Sequence, residues 1–369
     1  MKKILIFPLL NSMPSGHHQV ADAFSEYVAG DSFEVECKKV DLLSEWNAKA
    51  EMVTVKAYLQ WIRRSPHSYG WIYRQFAFRS KEKHSAKYFE WLFMKKVETI
   101  ISEEKPDLIV CTHGFPSFFI NKLKESGRCP VPCLNIYTDF FINDVWGRSR
   151  IEFHFAATEA MKDKLQQEYQ IPRERIFVTG IPVSGRFREG KRSKEPQTVS
   201  VLVSGGSTGL SNIIGQLKEG IDSSKWEIRV LCGTNKRLFK QLTALNNPAI
   251  KPLAYISSKE EMNRLYNEVD VLVTKPGGVT ISEALEKELP IFVSAPLPGQ
   301  EEINLRYLIE QNLAFALPSS GNLLEFIART LEDTKQIKRH QAAVQKHKQS
   351  LLYTSPHKIT NAIELMLIS

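Results

Sequence analysis

Short apolar runs alternate with segments of helical period along almost the whole chain, and the alternation halts once and then restarts. In the first half the strand-length runs fall at residues 3–9, 33–40, 108–112, 131–138, 153–157 and 176–178, with helical patterns such as 18–29 and 160–169 between them. Strands that follow one another through helices lie parallel, and a parallel sheet needs helices on both faces. The halt is the polar stretch RFREGKRSKEPQ at 186–197, whose one large apolar residue is Phe187. It reads as an interdomain linker. Beyond it, strands are expected at 199–203, 227–232, 250–252, 269–273, 291–293 and 314–316. The predicted class is α/β, with two doubly wound, mainly parallel sheets.

A length of 369 residues suits two domains of ~150 to 200 residues, each with its own core. The expected boundaries are 1–185 for the first domain, 186–198 for the linker and 199–350 for the second domain. A C-terminal helix at 351–369 is expected to pack back on the first domain. Two such domains would enclose a cleft with the C-terminal ends of the strands pointing into it, which is where sheets of this kind bind ligands.

The opening MKKILIFPLL places two lysines before an apolar run, but the run is short, Pro8 interrupts it and no small-residue cleavage site follows. It reads as a buried first strand. No stretch reaches the ~18 to 20 apolar residues of a membrane span, so a cytoplasmic location is expected. The five cysteines, Cys37, Cys111, Cys129, Cys133 and Cys232, are odd in number and scattered through apolar runs. That is the pattern of buried free thiols, and no metal site is expected.

A net charge of +8 implies attraction to anions. Residues 55–97 hold ten Lys/Arg against Glu82 and Glu90, interleaved with eleven aromatics. This segment reads as a membrane-surface element, with aromatics among lipid headgroups and cations facing anionic lipid. The competing reading is a helix pair whose aromatics pack inward, and Trp61, Tyr73, Phe76 and Phe93 are expected to divide between the two roles. The same charges would suit nucleic acid, but no recognised motif accompanies them and no nucleic-acid partner is expected.

Two glycine-rich turns carry the strongest chemical signal. In TKPGGVTISEA, Gly277 and Gly278 lie between a strand and the start of a helix, where unpaired N–H groups make a ready anion site. The alternative is a tight turn that needs positive φ. In VSGGSTG, Gly205, Gly206, Ser207 and Thr208 occupy the equivalent turn after the first strand of the second domain. The pattern is neither a Walker loop nor GxGxxG. A third polar loop, PLPGQEEIN, follows the next strand.

KPGGVTISEA followed by PLPGQEEIN, with GGSTG before them, resembles the monogalactosyldiacylglycerol synthase and processive diacylglycerol glucosyltransferase family, relatives of the MurG transferases. The first half adds GHHQVA at 16–21, NIYTDF at 135–140 and VTGIPV at 178–183, so the resemblance runs in order from Lys3 to Phe315. It implies a GT-B fold: two Rossmann-like domains facing a cleft, a UDP-sugar in the second and a lipid acceptor in the first. Gly277, Gly278 and Val279 would face the diphosphate, with Gly205, Gly206, Ser207, Thr208, Gly233, Lys275 and Thr280 also on the donor side. Glu283 would accept both ribose hydroxyls, Gln300 and Glu301 would bind the sugar, and Tyr255 and Ile256 would lie at the uracil. The family's glycine before Gly-His is replaced here by Pro14, which restricts φ and removes an N–H.

Departing UDP would place its charge on glycine-loop N–H groups and a helix N-terminus, and the chain contains no Asp-x-Asp to hold a metal diphosphate. An inverting displacement then needs one base, for which His17 and Asp139 are the candidates; Asp139 could instead orient His17. His113 is a third candidate, grouped with Gly16 and Trp146 on the acceptor side. The expected enzyme is a metal-independent, inverting hexosyltransferase without a cofactor, using UDP-glucose or UDP-galactose and working peripherally at the inner membrane face on a diacylglycerol-type acceptor. The alternatives are a polyprenyl-linked or soluble acceptor, or a nucleotide-sugar-binding protein without turnover.

Overall fold

The computed structural model describes residues 1–9, 15–29, 34–42, 68, 87–188, 190, 198–206, 209–210, 213, 215–217, 221–294, 296, 298–318, 320–352 and 356–368. The chain divides into two compact units: unit 1 is Met1–Val183, Leu297–Gln300 and Ser350–Ser369, and unit 2 is Ser184–Pro296 and Glu301–Gln349.

Unit 1 is built on a six-stranded parallel sheet in the order β2-β1-β3-β4-β5-β6. The strands are β1 (Lys2–Phe7), β2 (Val35–Lys39), β3 (Leu108–Cys111), β4 (Cys133–Ile136), β5 (Phe153–Ala156) and β6 (Ile176–Val178). Helices α1 (Gly16–Ala29), α2 (Lys87–Glu104), α3 (Gly114–Glu125) and α4 (Glu159–Gln167) connect them. Ile4, Leu5, Ile6 and Phe7 are all fully buried, as a central strand covered on both faces requires. The strand expected at 131–138 spans Cys133–Ile136; its start is delayed because Pro132 lacks the N–H that ladder pairing needs. After β2 the chain returns to the other side of β1 to form β3, so the order of strands reverses between β1 and β3. Such reversals leave a crevice at the strand C-termini.

Unit 2 repeats the plan, with a parallel sheet ordered β12-β11-β10-β7-β8-β9. Its strands are β7 (Val199–Ser204), β8 (Trp226–Leu231), β9 (Ile250–Leu253), β10 (Val271–Thr274), β11 (Ile291–Val293) and β12 (Phe315–Ala316). The helices are α5 (Lys236–Ala244), α6 (Lys259–Glu268), α7 (Gly278–Glu286), α8 (Gln300–Glu310), α9 (Leu323–Glu332) and α10 (Thr334–Ser350). Here the order reverses between β7 and β10.

Both units fasten their first strand in the same way. Asp107, just before β3, accepts from the Lys3 N–H at 2.8 Å, and Asp270, just before β10, accepts from the Ser200 N–H at 2.7 Å. The repeat is one of structure, which the sequence does not display.

Arg186 to Arg188, read as linker, lie in a 3-10 turn (Gly185–Arg188) whose Phe187 is buried edge-on against Tyr266 with ring centroids 5.7 Å apart. The last helix, α11 (Pro356–Ile368), packs on α1 within unit 1 and buries Ile359, Ile363 and Met366. Among the described residues no helix is long and apolar enough to cross a membrane. Of the basic-aromatic segment, Trp61, Tyr73 and Phe76 lie outside the described residues. Within α2, Phe93 stacks on Phe119 at 5.5 Å, while Trp91 is 53% exposed with the Lys95 ammonium 5.4 Å from its ring.

Candidate active site

In unit 1 the reversal between β1 and β3 brings together residues that follow three strands. His17 lies in the first turn of α1, after β1. Its Nδ1 is 2.8 Å from the Thr112 carbonyl oxygen, which follows β3, and 3.2 Å from Thr138 Oγ1, which follows β4. The Thr112 hydroxyl donates in return to the His17 carbonyl at 3.0 Å. A carbonyl oxygen can only accept, so Nδ1 carries the proton and Nε2 presents a lone pair. Burial lowers the imidazole pKa, opposed by the Asp139 charge and the Thr112 hydrogen bond, and the ring is neutral near pH 7.

His113 meets the His17 ring edge-on with centroids 4.5 Å apart, but its own role is local. It is the N-cap of α3, with Nδ1 accepting from the Phe115 N–H at 2.9 Å. The cap occupies Nδ1 and places the ring proton on Nε2, so this ring has no lone pair to offer a substrate. Burial, then the neighbouring His17, holds its pKa well below the usual histidine value.

Gly16 opens α1 and is partly buried. Trp146 is buried against Tyr137, ring centroids 4.7 Å apart, and belongs to the core of unit 1. Asp139 is partly buried just after β4. Gln300, in the short segment that groups with unit 1, donates its amide to Asp139 Oδ2 at 2.5 Å. Pro14 lies outside the described residues.

In unit 2 the turns after β7 and β10 flank the reversal. Glycine at 205 serves the turn itself, because a Cβ there would lie 2.1 Å from the Gly209 carbonyl carbon. Gly206 and Gly233 adopt φ of +67° and +58°, a region that disfavours other residues. Ser207 and Thr208 lie outside the described residues.

Gly277 differs from these. It is the N-cap of α7 at φ −83°, ψ 135°, ordinary extended backbone, and a Cβ there would meet nothing within 4 Å. Neither conformation nor described packing requires glycine at this point. Gly277 has no side chain to cap the helix, and the first-turn N–H groups of Gly278, Val279 and Thr280 have no acceptor within the helix. Gly278 and Val279 are buried, while Lys275 and Thr280 remain partly exposed.

On the next turn of α7, the partly buried Glu283 accepts a hydrogen bond at Oε2 from the Tyr266 hydroxyl at 2.9 Å. Burial pushes its pKa up to about 7, moderated by Tyr266 and Lys259. Beyond β9, Tyr255 is 44% exposed and Ile256 partly buried; Glu301 is partly buried in the first turn of α8. Among the described residues no group of three or more His, Cys, Asp or Glu is arranged to hold a metal.

Two participants carry no motif of their own, Thr112, which holds His17, and Tyr266, which holds Glu283; Thr138, the other threonine at His17, lies within the NIYTDF segment. The two threonines could have been sought as residues that end strands. Tyr266 lies 17 residues before Glu283 and only tertiary packing joins them.

Residues 17–183 match the family model described as Monogalactosyldiacylglycerol (MGDG) synthase. The chain is 37% identical over 350 residues to an uncharacterized glycosyltransferase, YkoN, of Bacillus subtilis (strain 168), covering 93% of this chain and 92% of that protein. It is 26% identical over 353 residues to the processive diacylglycerol beta-glucosyltransferase of the same organism, covering 92% and 89%. The solved structure of Phytolacca americana UGT2 complexed with UDP-2fluoro-glucose and pterostilbene matches with a TM-score of 0.62 at 12% identity, covering 100% of both chains. At that identity the likeness speaks for the fold alone. Fold and relatives together define an enzyme, a glycosyltransferase of the GT-B fold. The chain belongs to the monogalactosyldiacylglycerol synthase and processive diacylglycerol glucosyltransferase family.

Proposed function

We propose that this glycosyltransferase moves a hexose from a UDP-sugar to a hydroxyl of a diacylglycerol-type lipid, by a single inverting displacement without a divalent metal, while bound peripherally to the inner, anionic face of the membrane. The observation that carries the reading is the fixed tautomer of His17, whose Nδ1 is committed to the Thr112 carbonyl at 2.8 Å while Nε2 keeps its lone pair. A neutral imidazole so held is suited to take the acceptor's proton at neutral pH.

The acceptor oxygen attacks the anomeric carbon as its proton passes to His17 Nε2. The bond from that carbon to the diphosphate oxygen breaks, and its electron pair leaves with UDP. Charge gathering on the diphosphate is stabilised by the uncapped N-terminus of α7, whose approach Gly277 leaves open. Glu283 takes the ribose hydroxyls, and Gln300 and Glu301 the sugar. Asp139 supports protonated His17 through the field that already raises its pKa. The lipid acceptor draws support from the named activity of the B. subtilis glucosyltransferase, and the uridine donor from the ligand of the UGT2 structure.

The test is release of UDP from UDP-glucose and from UDP-galactose, each with and without diacylglycerol in anionic vesicles. Lipid-stimulated release is expected. Donor binding without stimulation would reject the diacylglycerol acceptor.

A further inference from the structure

Glu283 makes an unusual partner choice for a partly buried carboxylate. Among the described residues it carries no ion pair; its hydrogen bond comes from a neutral phenol, Tyr266, at 2.9 Å. Tyr266 is itself 1% exposed, on α6, and its ring is wedged edge-on by Phe187 from the Gly185–Arg188 turn. The nearby charges are otherwise engaged: Arg188 reaches Glu286 at 3.7 Å and Lys287 donates to Asn267 at 2.8 Å. Lys259, also on α6, lowers the Glu283 pKa through its charge, and β10 contributes no ionisable side chain to the pair.

A cation at this position would hold Glu283 ionised at every working pH. A phenol orients one oxygen yet leaves the charge weakly supported, so hydroxyl donors arriving from a ligand add the stabilisation that is missing.

We infer that Tyr266 is the positioning residue of the nucleotide site, turning the Glu283 carboxyl toward a vicinal diol and coupling diol binding to release of a proton. The inference rests on the reading of Glu283 as the ribose contact. Glu283 near neutrality is divided between its acid and carboxylate forms. Only the carboxylate accepts from both hydroxyls of a diol, so binding draws off the proton. Tyr266, by donating to the carboxylate, keeps more of it in that form.

The probe is UDP-glucose, whose diphosphate diester does not titrate near neutrality, bound to the full-length protein without acceptor. Calorimetry of the wild type near pH 6.5, in two buffers of different ionisation enthalpy, should show release of a fraction of a proton; none released would overturn the coupling. Tyr266→Phe fills the same volume and should weaken UDP-glucose about tenfold at pH 7, with recovery toward wild-type affinity at pH 9. It should raise KM and leave kcat at saturating donor unchanged. A folded Tyr266→Phe variant with wild-type affinity at every pH would overturn the positioning role. A loss of affinity of the same size at every pH would overturn the coupling of Tyr266 to the proton, because lost orientation alone does not titrate. Glu283→Gln separates the two levels of the argument: if it binds UDP-glucose as tightly as wild type, the ribose reading falls, and the role of Tyr266 with it. A donor lacking the ribose 2′-hydroxyl should bind with little sensitivity to Tyr266→Phe.

Discussion

The His17 ring and the Thr112 backbone form a reciprocal clamp, in which Nδ1 donates to the Thr112 carbonyl at 2.8 Å and the Thr112 hydroxyl donates to the His17 carbonyl at 3.0 Å. Two bonds in opposite directions fix both the position of the ring and its tautomer. His17→Ala is therefore expected to leave UDP-sugar affinity unchanged and to lower turnover by a factor on the order of 10² or more. Steady-state kinetics beside calorimetric donor binding checks both halves.

The pH dependence follows from the same ring. A base must be unprotonated, and burial holds His17 below the usual histidine pKa. The acid limb of kcat at saturating donor, where Glu283 is already ionised by the bound diol, should thus lie below pH ~6.5. Asp139 raises the His17 pKa, so Asp139→Asn should move that limb to still lower pH. An unmoved limb would remove Asp139 from the electrostatics of the base.

Glu283 opposes folding and favours binding. With its pKa raised to about 7, the folded protein retains a proton that the unfolded chain has already lost above its ordinary carboxyl pKa. Its contribution therefore becomes more unfavourable as pH rises through that interval and is fully unfavourable above pH 7. Glu283→Gln should stabilise the unliganded protein by about 1 to 3 kcal/mol at pH 8, with the gain vanishing near pH 4. It should also weaken UDP by about 1 to 3 kcal/mol. Urea denaturation at the two pH values and UDP titration measure these effects.

Two glycine-to-alanine changes should behave oppositely. At Gly205 the added methyl would sit 2.1 Å from backbone, so the turn must shift, destabilising unit 2 by about 1 to 3 kcal/mol or more. At Gly277 it enters open space, so stability should hold while UDP-sugar affinity falls. Thermal melts and donor titrations of both variants separate a packing glycine from a ligand glycine.

His113→Asn preserves an N-cap acceptor and should retain stability, whereas His113→Ala should lose about 0.5 to 2 kcal/mol. Chemical denaturation of the pair tests the cap, and equal turnover in the two folded variants and the wild type would set His113 apart from a catalytic group.

The alternating pattern made both sheets legible. Strands with both faces covered, such as Leu108–Cys111 and Ile291–Val293, read as unbroken apolar runs because nothing polar is tolerated on either side. The strand ends were less legible: Cys133–Ile136 starts late because of Pro132, and α1 begins at Gly16 rather than at residue 18. Gly277 and Glu283 stood out through their motif. Tyr266 and Thr112 did not, because a supporting residue is defined by what it touches across the fold, and its own neighbours in sequence say nothing of that.

The C-terminal helix α11 lies against α1, and its Ile359, Ile363 and Met366 are buried. Translation reaches this helix only after every residue of unit 2, yet α1 is the element that carries His17. The candidate base therefore waits, during biosynthesis, for a helix made after all of unit 2 to cover its supporting helix. Nascent chains stalled before residue 356 should leave α1 open to protease while the second sheet is already protected.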